Sequence, residues 1–245
     1  MAGRGELHVY PDAATLARAA ADTFARTADV AIAQRGAFHV ALSGGNTPRA
    51  AYELLAEEPL RDEIPWNSVF VYFGDERCVP PSDAQSNYRM AEEAFLRKVP
   101  IAQTNVHRIA GEVDPGHAAN EYASLLRADF GNVPQFDLVM LGLGPDGHTA
   151  SLFPGTAPET DSDSLVRAVY APSQQMWRVT ITPKVINSAH NVVFAVEGVE
   201  KAQILAAIFE GPIDPVKYPA QIVHPSSGRL IWLVDESAAA MLKTR

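Results

Sequence analysis

Cysteine is almost missing: Cys78 is the only one in 245 residues. That excludes an intrachain disulfide and a cysteine-ligated metal cluster. Histidine is also sparse, and the seven present include no close pair of the H-E-x-x-H kind, so no histidine metal motif is present. No apolar run approaches the roughly 20 residues a membrane helix needs. The opening stretch, MAGRGELHVYPDAATLARAA, lacks an apolar signal-peptide core and runs directly into a helical pattern, so a cytoplasmic location is expected. Positive charge is short too. Twenty Lys and Arg against 29 Asp and Glu leave a formal charge of −9, which argues against nucleic acid and anionic membrane surfaces as partners. Any anionic small molecule must then be held by a local cluster of donors working against the overall field.

What the chain has in quantity is apolar residues, 47%, enough for one large α/β domain or two small ones. No repeat, low-complexity segment or Gly/Ser/Pro-rich linker divides it, so residues 1–245 read as a single domain. Strand and helix patterns alternate. A helix is expected from Asp12, a capping residue, to Arg35, stopping at Gly36. FHVAL (38–42) reads as a buried strand, followed by a helix opened by Thr47 as N-cap and Pro48 as first helical residue, through about residue 56. SVFVYF (68–73) is the next strand, followed by a long loop and a helix over about 86–97. A helix near 116–128 precedes the strand FDLVML (136–141). RVTIT (178–182), NVVFAV (191–196), a helix over about 200–209 and LIWLV (230–234) complete the pattern. Apolar strands separated by helices imply a mainly parallel sheet covered on both faces, a Rossmann-like α/β arrangement. RVTIT and a strand near Leu165–Tyr170 are expected to break the parallel order.

The unusual residues follow strands. FHVAL runs into SGGNTP (43–48), VFVYF into GDER (74–77), DLVML into GLGPDGH (142–148), and VVFAV into EGVEK (197–201). Ligands of open parallel sheets bind beyond the carboxyl ends of the strands. If these four strands are neighbours, their loops converge on one crevice.

Each loop has two readings taken alone. In SGGNTP, Gly44 and Gly45 can aim backbone N–H groups at an anion, with Ser43, Asn46 and Thr47 adding donors at a helix N-terminus. It is either a phosphate cradle or a tight turn with an ordinary cap, and it is not a Walker loop, because the G-K-[ST] ending is missing. In GDER, Arg77 can grip a phosphate or carboxylate and Asp75 can accept sugar hydroxyl protons, or both belong to a surface salt bridge. Arg89 and Lys201 are further candidate cations for the same crevice.

The run GLGPDG also spells G-x-G-x-x-G, but the dinucleotide reading fails. Asp146 inside the pattern would repel a pyrophosphate, and Pro154 leaves no room for the long helix that the fingerprint requires. What remains is a turn presenting Asp146, His148, Thr149 and Ser151. His148 suits proton exchange near neutral pH, with the adjacent acid orienting its ring; a structural histidine capping a turn is the alternative. A Ser-His-Asp triad fits poorly without a G-x-S-x-G elbow.

Taken together and in order, SGGNTPRAAYELL, FGDERCVPPSDAQSNYRMAEEAF, FDLVMLGLGPDGHTASLFPG and WRVTITPKVINSA closely resemble the 6-phosphogluconolactonase family over nearly the whole chain. The wider superfamily includes glucosamine-6-phosphate deaminase, which shares the SGG-type loop and the DGH turn and lends its fold to the expectation. The resemblance implies hydrolysis of 6-phospho-D-glucono-1,5-lactone to 6-phosphogluconate in the oxidative pentose phosphate pathway, without cofactor or metal. It implies His148 as the general base that activates water and Asp146 as its support. Arg77 would engage the phosphate, with Ser43, Gly44, Gly45, Asn46 and Thr47 as further phosphate contacts and Lys201 as a second cation. Asp75 would sit near the ring. Asn46 departs from the Ser more usual in SGGSTP loops. Deaminases continue the DGH turn into a Phe-Asn-Glu-like run whose acid assists ring opening. Here the stretch is Ser151-Leu152-Phe153-Pro154-Gly155, without an acid, which favours the lactonase. A monomer acting on a small sugar-phosphate lactone is expected; a sugar-phosphate sensor on the same fold is the non-enzymatic alternative.

Overall fold

The computed structural model describes residues 4–155 and 163–243; the remaining residues of the expected 1–245 domain lie outside the described residues. In chain order the elements are β1 (Glu6–Tyr10), α1 (Ala13–Arg35), β2 (Phe38–Leu42), α2 (Asn46–Leu55), α3 (Leu60–Glu63), β3 (Val69–Phe73), β4 (Asp75–Arg77) and α4 (Asn87–Ala91). They continue with β5 (Val106–His107), α5 (Pro115–Phe130), β6 (Leu138–Leu141), β7 (Val166–Ala171), β8 (Met176–Ile181), α6 (Pro183–Ile186), β9 (Asn191–Val196), α7 (Ala202–Glu210) and β10 (Arg229–Asp235).

Helix α1 has the boundaries its sequence suggests. Asp12 accepts the Thr15 N–H at the start, and Gly36 closes the end in the left-handed region, its N–H on the Ile32 carbonyl. Its inner stripe is mostly alanine around Leu16 and Phe24, and Phe24 meets Phe38 of β2 edge to face at 5.1 Å. Small side chains let the helix lie close to the sheet and to α2.

Seven strands form a parallel sheet in the order β1-β10-β9-β6-β2-β3-β5. Every residue of β6 is buried, as are all but the first of β9, which is why these strands read as unbroken apolar runs. From β2 the chain steps to β3 on one side; from β6 it crosses to β9 on the other. The direction of winding therefore reverses between β2 and β6, where open α/β sheets bind ligands.

A second sheet of three antiparallel strands, β4-β8-β7, stands beyond the carboxyl edge. RVTIT and the strand after Leu165 are its β8 and β7, so they do break the parallel order. Three expectations need correction. The amino-terminal stretch does not run directly into a helix, because β1 first pairs with β10 at the sheet edge. GDER is not a loop: Gly74 carries the chain out of the large sheet, its N–H on Leu42 O, and Asp75–Arg77 then pair with β8. The helix expected over 86–97 is α-helical only to Ala91 and continues as a π-helical turn over Glu92–Leu96.

Candidate active site

The segments that follow β2, β3, β6 and β9 leave the sheet at one edge because these strands are parallel and consecutive in the sheet. At the end of β2, the chain is held by Tyr52 on the buried face of α2. Its phenol accepts the Ser43 N–H and donates to the Ser43 carbonyl, both at 3.1 Å. Burial pushes the phenol's pKa up, so it stays a neutral donor. Tyr122 of α5 does the same for the end of β3, bonding the N–H and carbonyl of Phe73 at 2.8 and 3.1 Å. Two tyrosines thus keep both strand ends in place without closing the edge.

Gly45, at φ 109°, is the N-cap of α2; Asn46 is its first residue, and no side chain caps it. Thr47 is therefore not the cap that its type suggests. Proline's fixed φ is tolerated anywhere in the first turn, and Pro48 contributes no N–H. The amides of Asn46 and Thr47 are thus left for a ligand.

Beyond Gly74, Asp75 and Glu76 are buried. Glu76 accepts the N–H groups of Arg77, Asn87 and Tyr88 and the Ser86 hydroxyl, tying β4 to the start of α4. Burial raises its pKa against the pull of these four donors. Asp75 Oδ1 accepts Asn87 Nδ2 at 3.0 Å, while Oδ2 accepts Ser151 Oγ at 2.5 Å and Arg178 Nη1 at 3.4 Å. Three protein donors already engage this carboxylate, which makes it a holder of neighbours first and a ligand contact second.

Arg178, on β8, lies directly opposite Arg77 on β4. It is 5% exposed; its Nη2 donates to Gln174 Oε1 and its guanidinium lies 5.7 Å from the Phe153 ring centroid. Arg77 Nη1 donates to the Gln85 carbonyl at 2.6 Å. The Nε of each arginine is buried without a partner. Burial, and then the positive charge of Arg77, press the Arg178 pKa down, with Asp75 opposing them. The two cations repel across the ladder, and an anion between them would relieve it.

The third part is the turn after β6. His148 Nδ1 lies 2.5 Å from Asp146 Oδ1, which also accepts the His148 N–H at 3.1 Å. Burial acts to raise the Asp146 pKa, but the charge and hydrogen bonds of His148 outweigh it, so the carboxyl stays below its ordinary range. With Nδ1 engaged, Nε2 is the nitrogen left to face a ligand. The ring packs on Gly144, where an added Cβ would stand 2.1 Å from Nδ1, and on Phe153 at 4.8 Å. Thr149 and Ser151 are not presented to a ligand as the turn sequence suggests: both are buried. Thr149 Oγ1 donates to Gly142 O at 2.9 Å, and Ser151 reaches back to Asp75.

These parts surround a cavity of about 320 Å³, the size of a small organic ligand. It is lined by Ser43 to Thr47, Asp75, Arg77, His148 and Lys201; of the other residues singled out from the sequence, Asp146 stands behind His148, and Thr149 and Ser151 are buried beneath the turn. Arg89 lies elsewhere, engaged with Glu93 and the Ser82 carbonyl. Sequence reasoning missed Arg178, Asn87 and the rim acids Glu197 and Glu200. Arg178 had only a strand assignment, and its pairing with Arg77 spans a hundred residues. Among the described residues five buried side-chain polar atoms lack a partner, and four of them, Ser43 Oγ, Arg77 Nε, Asn87 Oδ1 and Arg178 Nε, belong to residues lining this cavity. Each such group costs about 1–3 kcal/mol. Their concentration marks where a polar ligand belongs.

Fold and cavity together define a parallel α/β protein with an arginine-lined pocket at its topological switch point. Residues 11–232 match the family described as glucosamine-6-phosphate isomerases/6-phosphogluconolactonase, and the chain belongs to that family. It is 44% identical over 218 residues to a 6-phosphogluconolactonase of Synechocystis sp., covering 87% of this chain and 88% of that one. With the Nostoc sp. 6-phosphogluconolactonase it shares 37% identity, covering 96% and 98%. The structure of 6-phosphogluconolactonase from Trypanosoma cruzi superposes with a TM-score of 0.87 at 30% identity, covering 100% of this chain and 99% of that one. A monomeric glucosamine-6-phosphate deaminase at 20% identity, covering 96% and 99%, shares the fold with a TM-score of 0.83.

Proposed function

We propose that the protein hydrolyses 6-phospho-D-glucono-1,5-lactone to 6-phospho-D-gluconate in the oxidative pentose phosphate pathway. One observation carries the reading: an imidazole backed by a carboxylate and a pair of facing guanidiniums with unused N–H groups line the same cavity.

The phosphate is held by Arg77 and Arg178, with the amides and side chains of Ser43 to Thr47 and the ammonium of Lys201 around it. Among the described residues Lys201 has no ion pair. His148 Nε2 removes a proton from a water as its oxygen adds to C1, and the C1 carbonyl becomes an oxyanion. Collapse of this intermediate breaks the bond between C1 and the ring oxygen, and the proton on Nε2 passes to that oxygen as it leaves. The new carboxylic acid then loses its proton to solvent. Asp146 keeps the ring oriented and stabilises the transient imidazolium. General base assistance of this kind contributes about 10² to 10⁴ in rate, and the remote phosphate supplies positioning.

The deaminase reading is weaker on the same geometry. Where an acid would follow the turn, Leu152 and Phe153 are buried and Phe153 packs on His148. Incubation with the phosphorylated lactone and, separately, with glucosamine 6-phosphate tests this. Acid release from the first, above its spontaneous hydrolysis, is expected. Ammonia from the second would point to the deaminase, and binding without turnover to a sensor.

A further inference from the structure

The anion clamp and the catalytic turn are mechanically joined. Asp75 Oδ2 is shared between Arg178 Nη1 and Ser151 Oγ. The Arg178 contact, at 3.4 Å, is longer than the roughly 2.7–2.9 Å of a well-formed charge-assisted hydrogen bond, so this link is not drawn tight. Ser151 is fully buried and stands three residues after His148. Between them Ala150 sits at φ 47°, in the left-handed region that a residue with a Cβ avoids. A second path joins the same points: the Phe153 ring lies 4.8 Å from the His148 ring and 5.7 Å from the Arg178 guanidinium. Asp75 itself is anchored by Asn87 through both its side chain and its carbonyl, which leaves Arg178 and Ser151 as the parts that respond to each other.

We propose that an anion held between Arg77 and Arg178 sets the catalytic turn through Asp75 and Ser151, so that the substrate's phosphate raises turnover as well as affinity. Ser151 is then a positioning residue. It touches no substrate, and it transmits the state of the clamp to His148. The proposal rests on the lactonase reading and extends it, because remote binding energy accelerates a reaction only when it is expressed at the reacting centre.

The test separates the phosphate from the reacting ring. D-Glucono-1,5-lactone, which lacks the phosphate, is supplied as substrate, with inorganic phosphite added as the free anion and spontaneous hydrolysis subtracted. In the wild type, phosphite is expected to raise kcat/KM for this lactone at least about fivefold, the lower end of ordinary coupling between sites. Ser151→Ala should reduce that activation to less than about twofold, while the phosphite concentration that half-stabilises the protein in thermal melts shifts little. A wild-type enzyme that phosphite leaves unchanged or inhibits overturns the proposal, and this arm decides even if the variant fails to fold. Activation retained in Ser151→Ala overturns the role of Ser151. The phosphorylated lactone is assayed in parallel: without its hydrolysis the lactonase reading itself falls, whereas hydrolysis without phosphite activation removes only the coupling.

Discussion

Arg77 and Arg178 face each other as direct partners across the antiparallel pair β4–β8. Like charges so placed disfavour the ladder by roughly 0.2–1 kcal/mol, and here each guanidinium also keeps a buried Nε without an acceptor. A ligand of opposite charge placed between them would offset both costs. The pair therefore stands ready in the fold for the phosphate site proposed above.

Inorganic phosphate should stabilise the protein through this pair. At about 100 times its Kd, a ligand that binds only the folded state adds about 2.7 kcal/mol, which a thermal melt resolves. Arg178→Leu is expected to remove most of the phosphate-induced shift. It should also lower kcat/KM for the phosphorylated lactone by about a hundredfold, within the 2–5 kcal/mol range for one partner of a buried charged contact. An unchanged shift would place the anion elsewhere.

Gly144→Ala should act on chemistry while sparing anion binding. Its Cβ would stand 2.1 Å from His148 Nδ1, so the ring must leave its place against Asp146. The expected outcome is a fall in kcat of at least about a hundredfold with the phosphate-induced thermal shift retained. A variant with normal kcat would show that His148 works from another position.

Ala150→Gly tests the strained turn. Relief of the left-handed conformation is worth about 1–2 kcal/mol, and the greater freedom of glycine in the unfolded chain offsets about 0.4–1 kcal/mol of it. Denaturant unfolding should show a stability unchanged or higher by about 1 kcal/mol. A loss of more than about 1 kcal/mol would mean that the turn is not strained.

His107 gives a pH dependence unconnected with catalysis. It stacks on Tyr72 at 4.6 Å, and burial, with His39 adding and Asp129 opposing, holds its pKa below the ordinary 6.5. The folded state thus prefers neutral imidazole. Its contribution to stability is present above pH 6.5 and is lost as pH falls through the lowered folded-state value. His107→Phe keeps the stack and removes the titration, so its stability should vary less between pH 7.5 and 5.5, measured by denaturant midpoints. Equal slopes for both proteins would contradict the assignment.

The central strands and α1 were legible because their signals are local. β6 and β9 are buried on both faces and read as unbroken apolar runs, and Asp12 and Gly36 cap α1 by their own chemistry. That a polar segment follows each of four strands could also be read, although their convergence depended on a strand order that no local pattern contains. What stayed hidden is non-local. Asp75–Arg77 form a strand only because β8 arrives a hundred residues later, and two-residue β5 is too short to carry a period. Arg178 looked like an ordinary strand residue until register set it against Arg77. Ser151 looked like a site residue by its neighbourhood, but its hydroxyl is spent on Asp75. Thr47 has the chemistry of a cap, yet Gly45 takes that place.

The most direct measurement is the steady-state hydrolysis of 6-phospho-D-glucono-1,5-lactone by the wild type and by His148→Ala, each corrected for the enzyme-free reaction. A drop in kcat of at least about a hundredfold, in a variant that still melts later with phosphate, is the predicted result. A His148→Ala protein that turns over at nearly the wild-type rate would contradict the account.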